Sequence, residues 1–287
     1  MGKEKWRLLL DGPLRGSENM ARDEALLKSY YFGKKQPVFR IYDWKPDCIS
    51  LGYFQKATSE INLDGANKLN VDIVRRPTGG RGVLHANEIT YCLVMEEKFF
   101  GISKSVIESY KFLIQGIKKG LEALGLNPEI KTISKKEEKK QGKLNFSSAC
   151  FDSSSWYELL LDNRKVVGSA QTRRKGVILQ HGSIKLHYKP ELDVEVFNFK
   201  PSLSKTKIIN TLNKRAIGIM DINPSLNKSE CKKAIIKGFE EAFNIEFIED
   251  EYTELEKEWS MRLQQSKYCS KEWNLNKRKG DVNIEKI

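Results

Sequence analysis

The sequence is poor in the features that mark whole classes of protein, beginning with paired cysteines. Cys48, Cys92, Cys150, Cys231 and Cys269 are the only five in 287 residues, and no two share a C-x-x-C spacing. An odd number at wide intervals argues against a disulfide framework and against a zinc site, and it fits a reducing, cytoplasmic setting. Long apolar runs are missing too. The three leucines after Arg7 are too few for the core of a secretory signal, and no stretch approaches the length that spans a bilayer. Trp6 stands where an N-terminal myristoylation motif carries Ser or Thr, so no membrane partner is expected. Neither the Walker phosphate loop nor the dinucleotide fingerprint occurs, and no internal repeat stands out. The excess of 50 basic over 38 acidic residues, a net charge of +12, favours acidic partners and solubility. There is no zinc pattern, aromatic-bearing basic strand or winged-helix start beside that charge, so nucleic acid is not the expected partner.

What the chain does have is 39% apolar residues over a length sufficient for one large core. Short runs rich in branched and aromatic residues, "WRLLL", "VFRIYDW", "CISLGYF", "VDIVRR" and "EITYCLVM", predict strands. Between the first two, Met20, Ala21, Ala25 and Leu27 recur at near-helical spacing behind the early acidic residues Glu18 and Asp23, which predicts a helix over 17–32. A long amphipathic helix fits 103–126, with Gly125 as its stop. The lysine- and glutamate-rich stretch 131–143 reads as a mobile loop. Asp162 and Asn163 favour a tight turn, so "WYELLL" and "KVVGSA" on either side predict a β-hairpin, followed by another strand at "GVILQHGSIKL". From Ser204 onward the pattern is helical, including 229–244 opened by Ser229 as a cap and 249–268. Paired strands with grouped helices predict an α+β (mixed α/β) fold, mostly antiparallel sheets flanked by helices. The expected division is a main domain over 1–250 and a helical C-terminal extension over 251–287 with a frayed end.

Two stretches carry candidate chemistry. In "RRPTGGRGVLH", residues 75–85, the glycines let backbone approach a ligand closely while Arg75, Arg76 and Arg81 supply positive charge; a hairpin turn with basic decoration is the alternative. In "ACFDSSSWYELLLDNRKVVGSAQ", Cys150 and Lys165 are either a small buried hydrophobe and a solvated charge, or a nucleophile and the cation that activates it. A straight chain would hold them about 50 Å apart. The turn at Asp162 and Asn163 removes much of that distance. His85 and His181 leave open an imidazole-activated thiol, His187 reads as surface, and Cys92 as core.

"RRPTGGRGVLH" together with "CFDSSSWYELLLDNRKVVGSAQTRRKGVILQHGSI" resembles the biotin/lipoate protein ligase and octanoyltransferase superfamily, and more narrowly its cysteine-dependent octanoyltransferases. The similarity runs from "WRLLLDG" to about "KYCSKEWN", nearly the whole chain. The resemblance implies a biotin/lipoate ligase-like catalytic domain over 1–250. It implies an acyltransferase that takes octanoyl from octanoyl-acyl carrier protein and gives it to the lysine of a lipoyl-domain protein, such as the glycine cleavage H protein. Cys150 is then the acyl-carrying nucleophile, and Lys165 the cation that lowers its pKa and contacts the acyl carbonyl. Arg76, Gly79, Gly80, His85, Gly168, Ser169, Gln171 and His181 are carried into the substrate pocket, and no metal or cofactor is implied. Two departures bear on this. The chain reads "HAN" where relatives follow the histidine with an acid, so that acid is absent or displaced. Arg81 replaces the third glycine of ATP-using lipoate ligases, which weakens a ligase assignment; an ATP-dependent lipoate ligase or a lipoyl-domain-to-lipoyl-domain octanoyl amidotransferase stays as the alternative.

Overall fold

A computed structural model of the chain describes residues 2–33, 36–101, 105–132 and 157–276. Cys150, Trp156, most of the stretch expected as a loop, and the end beyond 276 lie outside the described residues. The chain opens with β1 (Glu4–Leu14), α1 (Gly16–Phe32), β2 (Val38–Trp44) and β3 (Cys48–Leu51). Two short helices, α2 (Ala57–Glu60) and α3 (Leu63–Lys68), lead to β4 (Asp72–Arg75), β5 (Val83–His85) and β6 (Glu88–Glu96). The long α4 (Val106–Ala123) precedes β7 (Glu129–Thr132). From residue 157 come β8 (Tyr157–Leu161), β9 (Arg164–Lys165), β10 (Val167–Arg174) and β11 (Val177–Lys185). The remainder is α5 (Pro190–Val196), α6 (Lys205–Asn213), α7 (Ile219–Ile222), α8 (Lys228–Phe243), β12 (Ile245–Glu249) and α9 (Glu254–Leu263), ending in π-helical turns at Gln264–Tyr268 and Glu272–Asn276.

Six strands form the main sheet in the order β10-β11-β6-β2-β1-β12. Its pairings are antiparallel except those of β1 with β2 and β12. Two three-stranded sheets, β4-β3-β5 and β7-β8-β9, flank it. Because side chains alternate along a strand, Phe39, Ile41, Tyr91, Leu93 and Met95 fall on one face and pack with Leu113, Ile117 and Leu121 of α4 and Phe239 and Phe243 of α8. Val38, Tyr42, Cys92 and Val94 fall on the other and meet Met20, Ala21 and Ala25 of α1. With both faces covered, β6 is buried through eight of its nine residues, and this is why it reads as one apolar run. Where α4 crosses α8 the backbones nearly touch: a Cβ on Gly238 would lie 2.2 Å from the amide nitrogen of Gly120.

Gly125, at φ +74, follows α4 as expected, but several boundaries differ from the sequence reading. Helix α8 is capped by Asn227 and not Ser229: Asn227 Oδ1 accepts from the Glu230 amide at 3.0 Å, and Glu230 Oε2 accepts from the Asn227 amide at 3.1 Å. The expected all-helical C-terminal half contains β12, paired in parallel with residues 4–8 of β1. The predicted hairpin does turn at Asp162 and Asn163, both at positive φ, yet its second strand holds only two residues. At Val166 the chain changes sheets. Its amide donates to Leu159 in the small sheet at 3.1 Å, while its carbonyl accepts from the Lys185 amide in the main sheet at 3.1 Å. Nor is Asp23 an N-terminal helix signal; it is wholly buried and paired across the core. The last helical segments are bolted to the body by buried ion pairs, Arg7 to Glu256 at 2.6 Å and Lys267 to Glu24 at 2.5 Å.

Candidate active site

A pocket with about 420 Å³ of empty space, part of it open to solvent, lies between the main sheet and the sheet β4-β3-β5. Of the residues singled out in the sequence, Arg76, Gly80, His85, Gly168, Ser169 and His181 line it. Met20, Tyr42, Trp44 and Val83 supply most of the apolar wall. Three chain segments far apart in sequence therefore converge: the glycine-rich turn after β4, the start of β10, and the middle of β11.

The polar residues of the wall are tied to one another in a single sense, and Arg76 is the hub. Its Nε donates to Thr78 Oγ1 at 3.1 Å and one terminal nitrogen donates to Ser50 Oγ at 3.2 Å. Each hydroxyl passes its own proton on. Ser50 donates to His85 Nε2 at 2.7 Å, and Thr78 to His181 Nε2 at 2.7 Å. Each imidazole then donates from Nδ1 to a carboxylate, His85 to Glu88 at 2.6 Å and His181 to Asp23 at 2.9 Å. Because the two carboxylates can only accept, each Nδ1 carries the proton it donates. Burial pulls His85 below its ordinary pKa despite the attraction of Glu88, which keeps it neutral. Burial would raise Glu88, but Lys185 and His85 hold it at about 2. Burial likewise opposes ionisation of Asp23, and Arg40 and His181 overcome it, holding that carboxyl below its usual range. Both nitrogens of both rings are engaged, so the arrangement offers no support to an imidazole-activated thiol. Glu88, three residues after His85, supplies the carboxylate that its ring meets, and Lys185 anchors that carboxylate at 2.7 Å.

The second terminal nitrogen of Arg76 holds the glycine-rich turn by donating to the carbonyls of Gly79 and Arg81, each at 2.7 Å. Gly80 sits at φ +91, open to glycine and strained for other residues. Its carbonyl leaves no room for a Cβ on Gly52, which would come within 1.8 Å. Gly79 thus builds the turn without lining the pocket. Gln171 is also behind the wall: its amide nitrogen donates to Gln180 at 3.0 Å, and Gln180 donates to the Tyr91 hydroxyl at 3.1 Å. That hydroxyl lies 2.8 Å from Ser169 Oγ.

Lys165 occupies the junction of the two sheets. Its backbone pairs with Leu160 on one side and Ala216 on the other. The side chain is 4% exposed, and its ammonium lies 3.3 Å from Glu158 Oε1. It is not a solvated charge. Three residues further along, Gly168 begins the pocket wall. Cys150, its expected partner, is outside the described residues. His187, as expected, is at the surface, 2.8 Å from Asp221, and Cys92 is core. Sequence reasoning missed Ser50, Thr78, Asp23 and Glu88. Only the "HANE" spacing of His85 and Glu88 was a local signal; the other contacts join residues 35 to 158 positions apart.

With this geometry in view, comparison with known proteins decides the family. The lipoyl protein ligase A/B catalytic domain matches residues 15–240. The chain belongs to that family. Octanoyltransferase LipM of Anoxybacillus flavithermus is 40% identical over 278 residues, covering 96% of this chain and 100% of the relative. Octanoyltransferase LipM of Bacillus subtilis is 40% identical over 275 residues, covering 96% and 99%. Among solved structures, the bi-partite lipoate protein ligase of Thermoplasma acidophilum superposes with a TM-score of 0.80 at 25% identity, covering 97% of this chain and 100% of that one. A lipoate-protein ligase A bound with ATP gives 0.78 at 24% identity, a likeness of fold. Family membership and the mixed, antiparallel-rich architecture are thus as the sequence led one to expect.

Proposed function

We propose that the protein is an octanoyltransferase of lipoate biosynthesis, moving octanoyl from octanoyl-acyl carrier protein to the lysine of a lipoyl-domain protein such as the glycine cleavage H protein, in the cytoplasm. Cys150 holds the acyl group as a thioester between the two half-reactions. The observation that carries the reading is the buried Lys165 ammonium, fixed by backbone pairing where the chain enters the pocket wall. End-to-end identity of about 40% to octanoyltransferases supports it.

In the first half-reaction the Cys150 thiolate attacks the carrier thioester, the C–S bond to the carrier breaks, and the carrier thiol leaves with a proton. In the second, the neutral acceptor amine attacks the enzyme thioester, expels the Cys150 thiolate and loses one proton as the amide forms. A free thiol of pKa ~8.5 is a few per cent ionised at neutral pH, and a nearby ammonium lowers that value by roughly 1–3 units. The same ammonium then stabilises the carbonyl oxygen as charge develops, worth about 3–4 kcal/mol for one well-placed donor. Tyr157, the first residue of β8, lies seven positions after Cys150, a reach of at most ~25 Å, so the chain is long enough to bring the sulfur to Lys165. The pocket takes the octanoyl chain against Met20, Tyr42, Trp44 and Val83, each buried methylene contributing ~0.8 kcal/mol. Likeness to ATP-using ligases favours adenylation as a second reading. The two separate by reagent: octanoyl-acyl carrier protein without ATP should yield octanoylated acceptor, whereas free octanoate with ATP should not.

A further inference from the structure

Phe54 is 80% exposed, the highest value for any large apolar side chain among the described residues. Single exposed aromatics are common and usually carry no meaning. What sets this one apart is how firmly its turn is held. The guanidinium of Arg75, itself wholly buried, donates to the carbonyls of Gly52, Tyr53 and Gln55 at 3.0, 3.2 and 2.6 Å. Gln55 Oε1 accepts from the Gly52 amide at 2.9 Å and closes the turn on itself. Arg75 is fixed in turn by the C-terminal segment. Its Nε donates to the Trp273 carbonyl at 2.9 Å, its amide to Asn274 Oδ1 at 2.9 Å, and its carbonyl accepts from Trp273 Nε1 at 2.9 Å. The turn also abuts the pocket mouth: the Tyr53 amide donates to the Thr78 carbonyl at 2.8 Å, and Gly52 lies against exposed Gly80, which lines the opening.

We propose that the turn 52–55 is the docking rim for the acceptor protein, with Phe54 as its apolar anchor; this rests on the octanoyltransferase reading above. The choice of acceptor over donor follows from reach. A carrier presents its thioester at the end of a long prosthetic arm and can stand well clear of the pocket. A lysine side chain is short, so the domain that bears it must bring its own surface against the rim for the amine to meet the enzyme thioester. Because the backbone that carries it is already held, and its ring rests edge-on against Tyr53 at 4.8 Å, the aromatic loses less conformational freedom on contact than one on a loose loop would, a condition that favours one side chain dominating an interface. Exposed Lys56, next in sequence, and Arg81 in the neighbouring turn favour an acidic face on the acceptor.

The test compares wild type with Phe54→Ala in separated half-reactions. Octanoyl loading from octanoyl-acyl carrier protein, followed by intact mass, should be unchanged, as should cleavage of the loaded enzyme by hydroxylamine, a small acceptor that needs no docking. Transfer to the apo glycine cleavage H protein below saturation should fall about ten-fold or more. Equal transfer by the two proteins, or an equal loss with hydroxylamine, overturns the proposal. Titration of the unacylated enzyme with apo H protein separates this from failure of the underlying mechanism. If wild type forms no thioester, the mechanism falls, while a Kd weakened at least about ten-fold in Phe54→Ala still upholds docking and an unchanged Kd refutes it.

Discussion

In the proposed mechanism the chemistry turns on Lys165, and its setting yields two predictions of opposite sign. If its ammonium stabilises the Cys150 thiolate, Lys165→Met should move the pH profile of Cys150 alkylation by iodoacetamide upward by at least about one unit and slow octanoyl loading about 100-fold. Glu158 lies 3.3 Å from that ammonium and offsets part of its charge. Glu158→Gln should therefore move the same profile downward. Shifts in one direction for both variants would mean that Glu158 acts only through folding. At this scale the pair Cys150 and Lys165 is proposed from the family motif that carries both; the structure bears only on Lys165, which is buried and ion-paired rather than solvated. Ser50 and Thr78 were not legible in the sequence. Their importance comes from hydrogen bonds to histidines 35 and 103 positions away, which no local pattern encodes. Gln171 shows the reverse error: it neighbours wall residues in sequence, but its side chain is taken up by Gln180, in the same network that Ser169 Oγ joins through Tyr91.

Among the long helices, the crossing of α4 and α8 is a contact of near backbone-to-backbone closeness. Gly238→Ala would set a methyl group 2.2 Å from Gly120 N and 2.5 Å from the Gly116 carbonyl, so the helices must separate. We expect a loss of roughly 1–3 kcal/mol, read as a lower urea midpoint with an unchanged slope. An unaltered midpoint would show that the helices slide apart freely. Periodicity revealed β2, β6, α1 and α4 because each carries a sustained apolar pattern. It failed for β12, where Glu246, Ile248 and Glu249 are all exposed, so that no clean alternation survives, and the strand borrows its place from β1. It failed also at Val166, since the residues on either side are equally strand-like and only tertiary pairing assigns them to different sheets.

Across the whole molecule, buried charge makes stability depend on pH. His85 is held below its ordinary 6.5, and Glu88, ordinarily 4.5, at about 2; Asp23, Glu24 and Glu256 are depressed in the same sense. As pH falls, the unfolded chain takes up these protons first, so the folded state loses stability, beginning near 6.5 with His85 and continuing from about 4.5 towards 2 with Glu88. Asp47 and Glu60, raised by burial, oppose this at fewer sites. Urea midpoints measured from pH 7 to pH 3 should decline throughout; a rise below pH 6 would contradict the assigned network. These pairs also join the C-terminal helices to α1 and β1, and Arg75 links the same segment to the pocket rim, so one body supports the site. The central claim is nevertheless carried by one sulfur atom. The most direct measurement is the intact mass of the protein after mixing with octanoyl-acyl carrier protein in the absence of ATP. The account predicts one added octanoyl group, removed by neutral hydroxylamine and absent from Cys150→Ser. An unmodified wild-type mass, or acceptor octanoylation undiminished in Cys150→Ser, would contradict it.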